Sequence, residues 1–311
     1  MSRALSSAQD LLRQQKWTEA VEAYQGLFRV YPSHIIIGID LATAQVFRGN
    51  RLEGLSLLTQ LWNRSSKTNQ KEIENKFNLL SKLFLTNKDF ELYQEALNLI
   101  DLKKYTQARA HLLSILSRES YHIDVILKGA QCLILEGKAE QAVVELTQVK
   151  QWSSFVPEIS QWLGRAYLLS SSRSQSLQKA LYELKLASLK IKESESLAVW
   201  LAQTYVKLGQ FQQAIQVLER DVAVNPLHIV SLVKLAEIKL QIAKGEVSNL
   251  WSARKDLQLA LSRFDQDQYT QVMKIYELTD DVRKKPEDLK GEIQELLQHI
   301  QIQLEELGVR R

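Results

Sequence analysis

Residues 195–228 run ESLAVWLAQTYVKLGQFQQAIQVLERDVAVNPLH, and the periodicity within this stretch decides the fold. Apolar side chains recur at helical spacing through Leu197, Leu201 and Tyr205, break at Gly209, and resume from Phe211 through Ala214, Ile215 and Leu218. The spacing predicts a helix, a tight turn and a second helix. Gly209 supplies the positive φ that ends the first helix, and Pro226 stops the second because it has no amide hydrogen to continue the ladder. Ala202 and Ala214 leave room for the two backbones to approach, while Leu201, Tyr205, Phe211 and Leu218 fill the space around the contact. One such pair cannot bury its own apolar face, so neighbouring pairs must stack on it.

The pattern repeats in both directions. Ala96, Ala130, Gly164, Ala202 and Ala236 form a ladder of small residues with spacings of 34, 34, 38 and 34. A fixed period of this length marks one supersecondary unit, copied and stacked. Composition agrees: the 311 residues include only 11 glycines and 4 prolines, well below the roughly 12% of average usage. Gln, Leu, Ala, Lys and Glu dominate, and no Pro/Gly/Ser-rich linker divides the chain. The expected fold class is all-α, a single elongated array of helices joined by short turns.

These residues resemble the tetratricopeptide-repeat family, whose 34-residue unit has a small residue in each helix, an aromatic near the start of the second helix and a closing proline. Residues 195–228 match at Leu201, Ala202, Tyr205, Gly209, Phe211, Ala214 and Pro226, and residues 1–34 match at Ala8, Trp17, Ala20, Tyr24 and Pro32. Residues 35–68 match at Leu41, Ala42, Gly49 and Gly54. The next two units, 89–122 and 123–156, carry Ala96, Tyr105 and Ala108, then Gly129, Ala130, Gly137 and Ala142. Residues 157–194 contain Trp162, Leu163, Gly164 and Tyr167, then Ala180, Leu184 and Ala187, with four extra residues in the Ser-rich turn 170–176. A seventh unit starts at Ile229 with Leu235 and Ala236, and its second helix (Ala253, Leu257, Ala260) follows an insertion around residues 245–249. The resemblance implies a right-handed α-solenoid of about seven units over residues 1–262.

The pattern departs from the family in two places. Between Ala42 and Ala96 the ladder jumps by 54, one period plus 20 residues. Ile73, Phe77, Leu80 and Phe84 lie in that excess at helical spacing, so an extra helix within residues 69–88 is expected to separate an N-terminal pair of repeats (1–68) from units three to seven (89–262), and a bend or a subdomain boundary is expected there. Beyond Leu261 the period fades. Phe264–Thr279 and Pro286–Leu307 each suggest a further helix, the last carrying the stripe Leu289, Ile293, Leu296, Leu297, Ile300, Leu304 and Leu307. Residues 263–311 are expected to cap the open end of the array, as repeat proteins need. The alternative is that the last helix zips against a second chain as a homo-oligomer contact, with Gln303 interrupting the seam.

Signatures of catalysis are missing. The 40 basic and 36 acidic residues are mixed along the chain, giving a formal charge of +4 and no basic stripe of the kind that marks a nucleic-acid surface. No phosphate-binding glycine loop or dinucleotide fingerprint occurs. His34, His111, His122, His228 and His299 show no paired metal-ligand spacing, and the single cysteine, Cys132, rules out a zinc ribbon. His34 and His228 each follow a repeat-ending proline by two residues and belong to turns. Cys132 lies within a first helix, where a structural thiol is the default. No signal peptide or membrane span is expected, and a lone cysteine fits a reducing compartment, so the expectation is a cytoplasmic, non-catalytic protein without cofactor or metal.

In the family the first helices line a concave groove. Mapping its groove-facing places onto this sequence gives Lys128 and Gln131 in the fourth unit, and Gln161, Trp162 and Arg165 in the fifth. The sixth gives Val199, Trp200, Gln203 and Lys207; the seventh gives Lys234 and Glu237. Trp162 and Trp200 occupy the same place in adjacent units, and both are expected to project as an apolar platform flanked by Lys128, Arg165, Lys207 and Lys234. Such a surface suits a protein segment with an apolar or aromatic anchor and acidic neighbours. The family's lysine and asparagine clamp on chaperone C-termini is not expected, because the matching places hold Gln131, Arg165, Gln203 and Glu237. The leading expectation is a scaffold or adaptor that binds a peptide segment of a partner. The alternatives are a regulatory subunit of a separate enzyme and an RNA-binding helical-repeat protein.

Overall fold

A computed structural model describes residues 2–153, 155–170, 174–263 and 286–309. Among these residues there are sixteen helices and no strand, so the fold is an all-α solenoid. The first helices of the repeat pairs are α1 (Ser2–Arg13), α3 (Ile35–Phe47), α6 (Asn87–Asp101), α8 (Ile123–Leu135), α10 (Pro157–Ser170), α12 (Glu195–Lys207) and α14 (Ile229–Ala243). Their partners are α2 (Trp17–Val30), α4 (Arg51–Arg64), α7 (Tyr105–Arg118), α9 (Ala139–Lys150), α11 (Ser174–Ser188), α13 (Phe211–Val224) and α15 (Val247–Ser262). Two helices stand outside the pairs, α5 (Lys67–Lys82) and α16 (Pro286–Glu306). The chain forms two compact units, residues 1–162 and 163–311.

One turn geometry recurs between paired helices. The residue closing the first helix is left-handed at Gln15 (φ 58°), Gly49 (99°), Lys103 (58°), Gly137 (76°) and Gly209 (73°). In each case the next amide reaches back five positions to a carbonyl at 2.8–3.0 Å, as from Lys16 to Leu11 and from Gln210 to Tyr205. These bonds satisfy carbonyls that the helix end leaves open. Glycine is the residue that takes this conformation without strain, which explains Gly209; Gln15 and Lys103 hold it with a side chain.

Small residues let the paired backbones touch. A Cβ added to Gly54 on α4 would sit 2.6 Å from the Ala42 carbonyl oxygen on α3, and one added to Gly164 would sit 2.6 Å from Leu184 Cγ on α11. The close approach is therefore between backbone and backbone in the second pair and between backbone and a core leucine in the fifth.

The extra helix α5 is packed inside the first unit, on α3, α4 and α8. Its buried residues are Ile73, Phe77, Leu80 and Ser81. The Phe77 ring meets Phe155 edge-on at 4.7 Å and tilts towards Trp152 at 6.5 Å. Thr59 Oγ1 on α4 donates to the Trp152 carbonyl at 2.7 Å, tying the segment after α9 to the same core.

At the far end, α16 packs on α15 through buried Leu289, Ile293, Ile300 and Leu304. Arg254 Nη1 also donates to Gln301 Oε1 across this contact at 3.2 Å. The helix expected over residues 264–279 lies outside the described residues.

Candidate functional site

In the first unit the expected binding residues are a short polar series. On α8, Lys128 Nζ donates to Gln131 Oε1 at 3.2 Å, one helical turn away. Gln131 is buried and Lys128 half-buried. On α10, Gln161 is buried and Trp162 half-buried.

The second unit brings more of the set together. The Arg165 guanidinium lies 5.4 Å from the centre of the Trp200 ring, and its Nη1 donates to Gln203 Oε1 at 3.1 Å. Lys207, one turn beyond Gln203 on α12, is exposed and donates to the Leu168 carbonyl at 3.5 Å. Burial of its stem, and then the Arg165 charge, lower the Lys207 pKa below the usual lysine value. Two cations on α10 and α12 therefore repel one another, which an arriving anion would relieve. On α14, Lys234 Nζ pairs with Glu237 Oε2 at 3.0 Å.

The projecting Trp200 expected from the sequence is corrected by the structure: the indole is 0% exposed, and Val199 beside it is also buried. The reason is that α12 packs against α11, α13 and α14, so buried residues occupy most of its circumference. A large aromatic on such a helix is covered. Trp200 instead offers its ring face to Arg165, a cation–π contact that fixes the direction of the guanidinium.

Sequence reasoning missed a buried polar cluster at the start of α14. His228 Nδ1 donates to Asp221 Oδ2 at 2.8 Å, Ser231 Oγ donates to the same oxygen at 2.6 Å, and the Ser231 amide donates to Glu195 at 2.9 Å. Burial pushes the Glu195 carboxyl up to about 7, against the opposing Ser231 amide. Burial alone would lower His228, but the hydrogen bond and charge of Asp221, with Glu195 and Glu193, hold it above its ordinary value. The one available signal was His228 placed just after Pro226, which marks a turn and says nothing of acids brought from α12 and α13. These are the residue types of a nucleophilic triad in the wrong order. Serine and histidine both bind the carboxylate, so the histidine cannot take the serine proton.

Cys132 is buried, and burial followed by the Glu136 charge raises its pKa to about 11, leaving a protonated thiol. No group of three or more metal-ligating side chains occurs among the described residues. His34 Nδ1 accepts the Ile37 amide at 3.4 Å, a helix-start contact in keeping with its turn position. Among the described residues no helix is long and apolar enough to cross a membrane.

Comparison with known proteins bears on the fold alone. The tetratricopeptide-repeat family model matches residues 196–220, the centre of the sixth pair. No curated protein sequence matches the chain. Among solved structures, a thermophilic tetratricopeptide-repeat protein of Thermus thermophilus is similar over 60% of this chain and 98% of its own, with 17% identity and a TM-score of 0.50. A tetratricopeptide-repeat protein from Parabacteroides merdae is similar over 89% of this chain and 98% of its own, with 14% identity and a TM-score of 0.46. MamA from Desulfovibrio magneticus covers 64% of this chain and is itself covered entirely, with 15% identity and a TM-score of 0.43. At these identities the likeness is one of fold.

Proposed function

We propose that this chain, a tetratricopeptide-repeat protein, is a non-catalytic scaffold that holds an acidic segment of a partner protein along the first helices of its second unit. The observation that carries the reading is the placement of two cations on adjacent first helices: Arg165 bonds Gln203 on α12, and Lys207, one turn beyond Gln203, reaches back to the Leu168 carbonyl on α10. Arg165 is buried and fixed by Trp200 and Gln203, so its charge adds to the positive potential at exposed Lys207, which would meet the carboxylate. Gln203, Lys207, Lys234 and Glu237 retain solvent access and supply polar contacts around it. Lys128, Gln131, Gln161 and Trp162 belong to the first unit and would offer further contacts there. Repeat arrays of this fold display successive first helices for such contacts. A cytoplasmic setting suits the reading, since the lone thiol of Cys132 would stay reduced there.

The test is affinity capture from the native host by the full chain and by Lys207→Glu, read by mass spectrometry. Lys207 is exposed, so its reversal should leave helicity and thermal midpoint unchanged while the captured set is lost. An identical captured set from the variant would remove this surface from consideration. A salt-sensitive RNA signal in place of protein would favour the nucleic-acid alternative.

A further inference from the structure

The second unit contains a recess that the scaffold reading does not use. It lies between α12 and α13, is lined as well by the segment joining α11 to α12, is open to solvent, and has a volume of about 220 Å³. Its apolar lining is Leu197 and Leu201 from α12, Val217 and Val224 from α13, and Ile191 from the joining segment, with Ser188, Ser194 and Asp221 among the polar residues beside them. The apolar surface continues outward, with Val224 61% exposed and Leu189, beside the recess in sequence, 68% exposed. With ~100° between successive residues on a helix, Ala198 and Leu201 lie roughly 120–180° around α12 from Gln203 and Lys207. The recess and the Arg165–Lys207 surface are therefore separate.

Charge at the recess is predominantly positive: two cations line it against one carboxylate, Asp221, which already accepts hydrogen bonds from His228 and Ser231. Lys192 and Arg220 both line the recess. Lys192 makes a long bond to the Ser188 carbonyl at 3.4 Å, and exposed Arg220 makes no hydrogen bond, ion pair or ring contact among the described residues. Three nearby acids are engaged elsewhere: Asp221 is held by His228 and Ser231, Glu195 by the Ser231 amide, and Glu219 lies 3.8 Å from Lys239. Glu193, exposed beside Lys192 in sequence, makes no hydrogen bond or ion pair among the described residues and is the acid that a ligand carboxylate must outcompete. An apolar floor below two available cations selects a ligand that is aliphatic at its tip and anionic beside it.

We propose that this recess receives one aliphatic side chain from an extended segment of a partner protein, with an adjacent carboxylate held by Arg220 and Lys192. A volume of 220 Å³ falls below the ~300–1,000 Å³ of small-molecule and cofactor pockets and suits a single side chain. Burying that side chain together with the exposed methyls of Val224 supplies the apolar gain, and the cations fix which neighbours the anchor must have.

The test uses the full chain with methyl-labelled Ile, Leu and Val, titrated with a short end-blocked peptide whose central leucine stands between two glutamates. Binding should be saturable and should shift the methyls of Ile191, Leu197, Leu201, Val217 and Val224. Replacing the peptide leucine by serine, its glutamates by glutamine, or Arg220 by glutamate should each weaken binding about tenfold. Arg220→Glu should leave the thermal midpoint unchanged, because the Arg220 side chain holds no partner among the described residues. Ala198→Phe should fill the recess and abolish binding; if that variant fails to fold, Arg220→Glu decides alone. Lys207→Glu should leave this binding intact, which separates the outcome from that of the scaffold surface. The proposal is overturned if those methyls do not move, if the glutamine peptide binds equally well, or if Val199 shifts in their place. It is overturned too if decanoate moves these methyls and the peptide does not, which would make the recess a lipid site.

Discussion

Arg51 and Glu119, 68 residues apart, form an ion pair at 2.8 Å with side chains only 2% and 4% exposed. Arg51 also donates to the carbonyls of Leu80 (3.1 Å) and Leu83 (2.7 Å), while Glu119 accepts the Leu85 amide at 2.8 Å. The pair thus grips the exit of α5 from both sides, with Arg51 at the start of α4 and Glu119 just after α7. Burial lowers the Arg51 pKa and raises that of Glu119, each offset by the other's charge.

Breaking that pair should unfold the first unit preferentially. Glu119→Ala leaves a buried guanidinium without its counter-charge, and a loss of about 3–5 kcal/mol is expected. Arg51→Met combined with Glu119→Leu should recover much of it, since the desolvation cost disappears together with the attraction. Chemical denaturation of the singles and the double measures this. Equal losses in all three would argue against a coupled pair.

The Glu195–Asp221–His228 cluster should make stability pH-dependent. Both Glu195 and His228 have folded-state pKa values above their ordinary ones, so the folded chain binds more protons than the unfolded chain. The contribution of Glu195 is complete below the ordinary glutamate range and is lost as pH rises through about 7. The contribution of His228 is lost as pH rises above the ordinary histidine value. Urea midpoints should therefore fall from about pH 5 to about pH 8, and Glu195→Gln should flatten the lower part of that slope, worth on the order of 2–3 kcal/mol. A variant with an unchanged profile would contradict the assignment.

The shared turn geometry gives two substitutions of opposite sign. Gln15→Gly should stabilise by about 0.5–1 kcal/mol, because the left-handed conformation no longer strains a Cβ. Gly209→Ala should cost about 1 kcal/mol for the converse reason. Thermal midpoints moving the same way in both variants would show that the turn does not set these energies.

Two helix-interior glycines should also respond in opposite ways. Gly54→Ala places a methyl 2.6 Å from the Ala42 carbonyl oxygen, so about 1–3 kcal/mol of destabilisation is expected as α3 and α4 part. Gly26→Ala meets nothing within 4 Å on α2 and should gain roughly 0.5–1 kcal/mol of helix propensity. Denaturation midpoints of the two variants check the contrast.

The period of the small residues, the glycine turns and the helix-stopping proline were all readable in the sequence because each acts over a few neighbouring positions. Ala42 opposite Gly54, Gly209 in the left-handed region and Pro226 just past α13 are such local determinants. Periodicity also identified Ile73, Phe77 and Leu80 as the buried side of α5, but Phe84, assigned to the same stripe, lies beyond the helix end at Lys82 and packs in the core around Ala96 and Ala108. What tertiary structure alone decided was how the helices cover one another. Trp200 is hidden because three helices close around α12; Arg51 meets Glu119 because α5 and its exit fold between them; Glu195, Asp221 and His228 converge from separate elements. A helical pattern states which side of a helix is apolar. How much of its circumference is buried, and which distant charges share that burial, depends on neighbours that the local pattern does not encode.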